Sequence, residues 1–211
     1  MAVWQYQLNI IPRKAILEKY GEIPKTLFID FDGWEKYWEN VDYNNGFPDP
    51  DFEDAKTIKW WANTLLDIND ISKQIDKLVA RAQWGNESSN SINWKGNSNN
   101  YEDNDCYISY NKTKKTINEF QFRVDLRKKE NFSLFLKGIL ELCKKNELMV
   151  FNTNGALFEP KIEVIYEDLK KSNAVAFLTD PEKFLDKIAY RENIKIQKKV
   201  NLWTKIKTFL K

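Results

Sequence analysis

The fold turns on residues 116–127, Thr116-Ile117-Asn118-Glu119-Phe120-Gln121-Phe122-Arg123-Val124-Asp125-Leu126-Arg127. From Phe120 onward apolar and polar residues alternate without a break, the two-residue period of a strand with one buried face. Phe120, Phe122, Val124 and Leu126 share one side, and Gln121, Arg123, Asp125 and Arg127 the other. Cys106 to Tyr110 forms a strand before it, and Asn111-Lys112-Thr113-Lys114-Lys115 makes the pair a hairpin. After it, Phe132, Phe135, Leu136, Ile139, Leu140 and Cys143 recur at three- and four-residue steps, a helix capped by Asn131 and ended at Asn146. Two such faces need each other, so this helix is expected on the Phe122 side of the hairpin.

Upstream, Trp4, Tyr6, Leu8 and Ile10 alternate with Gln5, Gln7 and Asn9 in a half-buried strand. Pro12 opens a short helix that Gly21 stops. Residues 22–54 hold breakers at Pro24, Asn44-Asn45-Gly46 and Pro48-Asp49-Pro50 around an aromatic patch of Phe28, Phe31, Trp34, Tyr37 and Trp38, and receive no assignment. From Asp54, a helical period runs through Ile58, Trp61, Leu65 and Ile68, then Ile71, Ile75, Leu78 and Ala82. Asn69-Asp70 as a cap would make this a helical hairpin. Gly85 to Asn104 reads as a long polar loop with one short strand near Ile92 and Trp94. Downstream, Leu148 to Phe151 is a strand, turned at Asn152-Thr153-Asn154-Gly155 into Ala156-Leu157-Phe158. Helices follow from Pro160 to Lys171 and, capped by Asp180, from Glu182 to Ala189. Strand, helices, two strands, helix, strand is the order of a split βαβ, or ferredoxin-like, core. The expected fold is therefore α+β, an antiparallel sheet with helices on one face and extra helices at the C-terminus. One domain is expected over residues 1–190, followed by a basic amphipathic helix over 191–211.

The composition mostly excludes. The 211 residues are 42% hydrophobic and 30% charged, enough to build a core. No apolar run approaches the roughly 20 residues that span a bilayer, and the N-terminus lacks the pattern of a signal peptide. Cys106 and Cys143 both lie in core-facing segments, which fits buried thiols in the cytoplasm rather than a disulfide frame. There is no histidine. That removes Ser-His and Cys-His nucleophile pairs, imidazole acid/base chemistry and every His-ligated metal site. Seven glycines without a Gly-x-Gly exclude the Rossmann and P-loop fingerprints. No cofactor or metal is expected.

Charge divides unevenly. Residues 194–211 hold six Lys and no acid, whereas residues 1–193 hold 27 basic residues against 31 acidic. A mildly acidic body does not suit a nucleic-acid binder, so no nucleic acid is expected. In the tail, Ile196, Val200, Trp203, Ile206 and Leu210 make one apolar stripe. Such a helix can lie on an anionic membrane surface or bind a partner, but packing on its own domain is favoured.

The candidate surface is the polar side of the hairpin. With Tyr110 opposite Thr116, Asp105 falls opposite Gln121, Asp103 opposite Arg123 and Tyr101 opposite Asp125. The expected binding plate is Asp103, Asp105, Tyr107, Glu119, Gln121, Arg123, Asp125 and Arg127, against the plain alternative of a solvated face laced by ion pairs. Trp60, off the core stripe of its segment, is added as an exposed interface anchor. No catalytic residue is assigned. Pro48-Asp49 with Asp54-Ala55-Lys56 has the outline of a nuclease site but not its strand context, and Asp30-Phe31-Asp32-Gly33 lacks the further oxygens of a calcium loop.

From Trp94 to Leu185 the chain resembles bacterial proteins of uncharacterised activity on the immunity side of toxin–immunity gene pairs. The resemblance rests on Trp94-Lys95-Gly96, Glu102-Asp103-Asn104-Asp105, Phe122-Arg123-Val124-Asp125-Leu126-Arg127, and Ser172-Asn173-Ala174 through Phe177-Leu178-Thr179-Asp180-Pro181 to Phe184-Leu185. It covers under half the chain and brings no catalytic residues. It implies a cytoplasmic, non-enzymatic protein that binds and blocks a partner, such as a toxin domain. The alternatives are a carboxylate-based hydrolase, or a nucleic-acid or membrane-surface binder acting through the Lys-rich tail.

Overall fold

The computed structural model describes residues 2–42, 47–82, 90–113, 115–190 and 194. Six strands, β1 (Gln5–Pro12), β2 (Ser91–Lys95), β3 (Asp105–Asn111), β4 (Thr116–Asp125), β5 (Leu148–Asn152) and β6 (Leu157–Phe158), make one sheet in the order β2-β3-β4-β1-β5-β6. Every neighbouring pair is antiparallel. The helices are α1 (Arg13–Tyr20), α2 (Phe31–Asn40), α3 (Ile68–Ile75), α4 (Lys129–Lys145), α5 (Ile162–Leu169), α6 (Asn173–Thr179) and α7, residues 181–190. The chain is thus α+β with an antiparallel sheet. Among the described residues no helix is long and apolar enough to cross a membrane. The basic tail lies outside the described residues, apart from Ile194.

The alternation of β4 sorts its side chains as the sequence implies. Phe122 and Val124 are fully buried, and the Phe122 ring meets Phe135 of α4 edge-on with centroids 6.1 Å apart. Phe132, Leu136, Ile139 and Leu140 are buried along the same helix. Across the sheet Phe122 pairs with Leu8 and with Cys106, and Ile10 with Val150, so β1, β3, β4 and β5 pool one apolar face. Cys106 and Cys143 are buried thiols, and burial pushes both up, which suppresses the reactive thiolate. α5 is tied to this face through Asp168, which accepts from the Tyr6 hydroxyl at 2.6 Å and from Asn152 at 2.8 Å.

The hairpin register differs from the expected one. Asn111 pairs with Thr116, and a bulge between Ser109 and Tyr110 then brings Asp105, not Asp103, opposite Arg123. The displacement from the expected pairing is two residues along most of the hairpin. An even slip keeps every side chain on its face, so the division into core and polar sides survives.

Residues 54–82 are not a helical hairpin. Asp54 is buried, and its carboxylate accepts from the backbone N–H groups of Lys56 and Thr57 as a helix cap would, but after the Ile58 N–H donates to the Asp54 carbonyl the chain runs through separate turns instead of a continuing helix. Only α3 is helical there, and its cap is Asp67, which accepts from the Asn69 and Asp70 amides. Residues 31–40, unassigned from sequence, form α2, capped by Asp30 through the Gly33 amide at 2.8 Å. α4 begins two residues before Asn131, whose side chain reaches out to the carbonyls of Asn100 and Tyr101. Gly21 ends α1 in the left-handed region as expected (φ 76°). Gly155 also has positive φ (86°), and a Cβ there would run into the Leu27 carbonyl oxygen. That close approach lets the Leu27 N–H donate to Gly155 and the Leu157 N–H to Lys25, fastening residues 25–27 beside β6.

Candidate functional site

The face of β1–β4 opposite Phe122 and Val124 carries the candidate plate. It comes from four strands, because the polar side of β1 joins the hairpin: Gln5 lies opposite Asp125, Gln7 opposite Arg123 and Asn9 opposite Gln121. β2 adds Lys95, opposite Asp105.

Three carboxylates and three cations interlock there. Asp105 accepts from Arg123 Nε at 2.8 Å and pairs with Lys95 at 3.3 Å. Lys95 also pairs with Asp103. Asp125 binds Arg127 through both oxygens, Nε to Oδ1 at 2.9 Å and Nη2 to Oδ2 at 2.6 Å. The six charges cancel, which lets the carboxylates sit away from water.

The same carboxylates hold the loop that crosses the sheet end. The Asp103 N–H donates to Asp125 Oδ2 at 2.9 Å, and the Asp125 N–H donates to Asn104 Oδ1 at 2.9 Å. Gln5 Nε2 donates to the Asp103 carbonyl at 2.6 Å. Arg127 reaches over to the Ser98 carbonyl at 3.1 Å, its guanidinium flanked by the rings of Trp4 (4.4 Å) and Tyr101 (4.9 Å). Tyr101 occupies the left-handed region (φ 57°), which costs a non-glycine residue roughly 1–2 kcal/mol. The two-sided cation–π contact offsets a cost of that order.

The expected plate therefore divides. Asp103, Asp105 and Asp125 are buried, the last with no exposed surface, and they are not part of a solvated face. Burying them took a folded-over loop, which leaves no periodic mark in the sequence. Tyr107, Gln121, Arg123 and Arg127 are half-buried, and Glu119 is exposed opposite Ser109. Gln7 donates to Gln121 at 2.6 Å, continuing the hydrogen-bonding face to β1. Trp60 belongs elsewhere. It is buried, donates through Nε1 to the Ala55 carbonyl at 2.8 Å and lies beside Tyr20, so it is no exposed anchor. Burial follows from the turns of residues 54–64, since the expected helical geometry that would have turned it outward does not form.

Sequence reasoning missed Lys95, Gln5, Trp4 and Tyr101 as members of this network. A signal existed for Gln5 and Gln7, since a split βαβ order places the first strand beside the third. No family model, curated protein or solved structure matches the chain.

No acid of the trio is positioned as a free catalytic group. A cavity of about 610 Å³ opens between residues 78–80, the loop at 95–98 and α4, but none of the three aspartates lines it. Among the described residues no group of three or more Asp, Glu or Cys side chains could hold a metal ion.

Burial alone would push the Asp125 carboxyl up. The Arg127 guanidinium and the N–H groups of Arg127 and Asp103 outweigh that and hold it below the ordinary carboxylate range. A depressed folded-state value means that the stabilisation is complete above the unfolded value of about 4 and disappears as pH falls through the folded one. Urea midpoints are therefore expected to stay level in this respect from about pH 7 to pH 5 and to drop below about pH 4. The drop shrinks in Asp125→Asn; an identical acid profile for that variant would show that Asp125 does not contribute.

Proposed function

We propose that the chain is a non-enzymatic protein-binding module of the immunity type, which blocks a partner such as a toxin domain in the cytoplasm. The observation that carries this is the polar face itself, where Gln7, Tyr107, Gln121 and Arg123 stand half-exposed over charges already neutralised from beneath. A broad face rich in amide, phenol and guanidinium groups suits recognition of a protein, since Tyr and Arg contribute most at interfaces and little net charge must be desolvated. The engaged carboxylates speak against a hydrolase, which needs an acid or base within reach of substrate. Two buried, inert thiols suit a reducing compartment.

The core is read as ferredoxin-like. The order β3-β4-β1-β5, antiparallel throughout, with α4 between β4 and β5, supports that reading, with β2 and β6 as additions at the two edges.

The test is calorimetric titration of the Tyr107→Ala/Gln121→Ala variant with the product of the adjacent gene. Neither side chain is fully buried, so the melting temperature is expected to move little. Binding is expected to weaken by about 2 kcal/mol or more, the scale of an interface anchor. Unchanged affinity in the folded variant would overturn the site.

A further inference from the structure

Residues 30–54 hold nine acidic residues and one lysine. Without them residues 1–193 would carry 26 basic residues against 22 acidic, so the acidity of the body resides in this one segment. It is also where aromatic rings face water. Phe31 is 57% exposed, Trp38 49% and Phe47 63%, with Phe28 at 65% just before the segment, and α2 buries none of its residues.

Trp38 and Phe47 belong to a cluster of rings in mutual contact. Trp34 stacks on Trp38 (6.1 Å) and meets Tyr37 (5.6 Å) and Phe52 (5.2 Å) edge-on, while Phe47 closes on Trp38 at 6.1 Å. Trp34 Nε1 donates to the buried Asp54 at 2.7 Å, and the Tyr37 hydroxyl to the Pro48 carbonyl at 2.8 Å. Asp54 also accepts from the Asp30 amide at 3.2 Å, so one carboxylate ties both ends of the segment together. Phe31, Trp34 and Trp38 lie three and four residues apart and share a helical face.

Exposed aromatics already held in place bind at low entropic cost, and they are the residue types that dominate interfaces. The surrounding acids choose the occupant. They repel phosphate backbones and anionic lipid, and attract a surface bearing Lys or Arg beside apolar groups. We propose that the acidic aromatic face of α2 and residues 47–53 docks a basic amphipathic segment of a protein partner. This rests on the reading of the chain as a protein-binding module and adds the partner's chemistry and a second contact surface.

The test measures binding of the full chain to two labelled helical peptides of about 18 residues. One is built of Leu, Trp and Lys, the other has Glu in place of Lys. The Lys peptide is expected to bind saturably, at least tenfold tighter than the Glu peptide, and to weaken severalfold from about 50 to about 300 mM salt. Phe31→Ser/Trp38→Ser, checked for folding by a thermal melt, is expected to weaken it at least tenfold. Asp49→Lys/Asp51→Lys keeps the rings and is expected to reverse the preference between the peptides. Equal binding of both peptides, no saturable binding, or indifference to both variants overturns the proposal. So does a tenfold gain in affinity on Val200→Ser/Trp203→Ser, which would make the chain's own tail the occupant. The Tyr107/Gln121 experiment uses other residues and another ligand, so its failure is distinct from failure here.

Discussion

Replacing Asp125 with alanine is expected to lower the stability of the folded chain by about 3–5 kcal/mol, the range for removing one partner of a buried ion pair. The side chain has no exposed surface. Its loss strands the Arg127 guanidinium, only 17% of whose side chain reaches water, and orphans the Asp103 N–H. Asp125→Asn keeps an acceptor for one of these donors and is expected to lose less, about 1.5–3 kcal/mol. Equilibrium urea unfolding of both variants checks the order. A loss below about 1 kcal/mol for the alanine variant would mean that water replaces the carboxylate and that the pair is effectively a surface one.

Phe122→Ala is expected to cost a comparable 3–5 kcal/mol, about the usual range for emptying a buried Phe site. The ring touches Phe135 and sits between Leu8 and Cys106, in a place where neither sheet nor helix can close the gap. Arg123→Ser, one residue along the same strand, leaves Asp105 paired to Lys95 and is expected to cost only about 1–2 kcal/mol. The contrast between adjacent positions measures the two faces of β4 directly. Equal losses at 122 and 123 would contradict the face assignment.

What could be read in the sequence was whatever repeats. The two-residue period of β4 and the three-four period of α4 each specify a face, and the faces fit because the core needs both. Even the wrong register at Tyr110 did no harm to the face assignment, since the turn and the Ser109–Tyr110 bulge together shift the pairing by an even number. What could not be read left no periodic mark or a misleading one. Ile58, Trp61 and Leu65 have helical spacing, yet the chain after Asp54 runs through separate turns, and Leu65 ends 72% exposed. In α2 the apolar stripe is aromatic and only Trp34 of it leans on the core, while Phe31 and Trp38 stay exposed, so a search for core-facing periodicity passes over it. The polar residues share one face of the strands as expected, but the burial of three aspartates among them was not legible, because Asp125 is covered by a loop whose hold comes from Asn104, Gln5 and Arg127, far apart in the sequence.

The central place of β1 governs how the chain folds. Gln5–Pro12 is flanked on both sides, by Thr116–Asp125 and by Leu148–Asn152. During synthesis this apolar strand therefore waits, both edges open, until more than a hundred further residues have been added; at about 5–20 residues per second that takes roughly 5–30 s. Closing such long loops is slow, and an unpaired hydrophobic strand is the form most open to wrong pairing. The hairpin of β3 and β4 with α4 is local and can assemble first, as a template onto which β1 is later inserted. On this view a chaperone that shields the first dozen residues should raise the yield of folded protein more than one acting on any later strand.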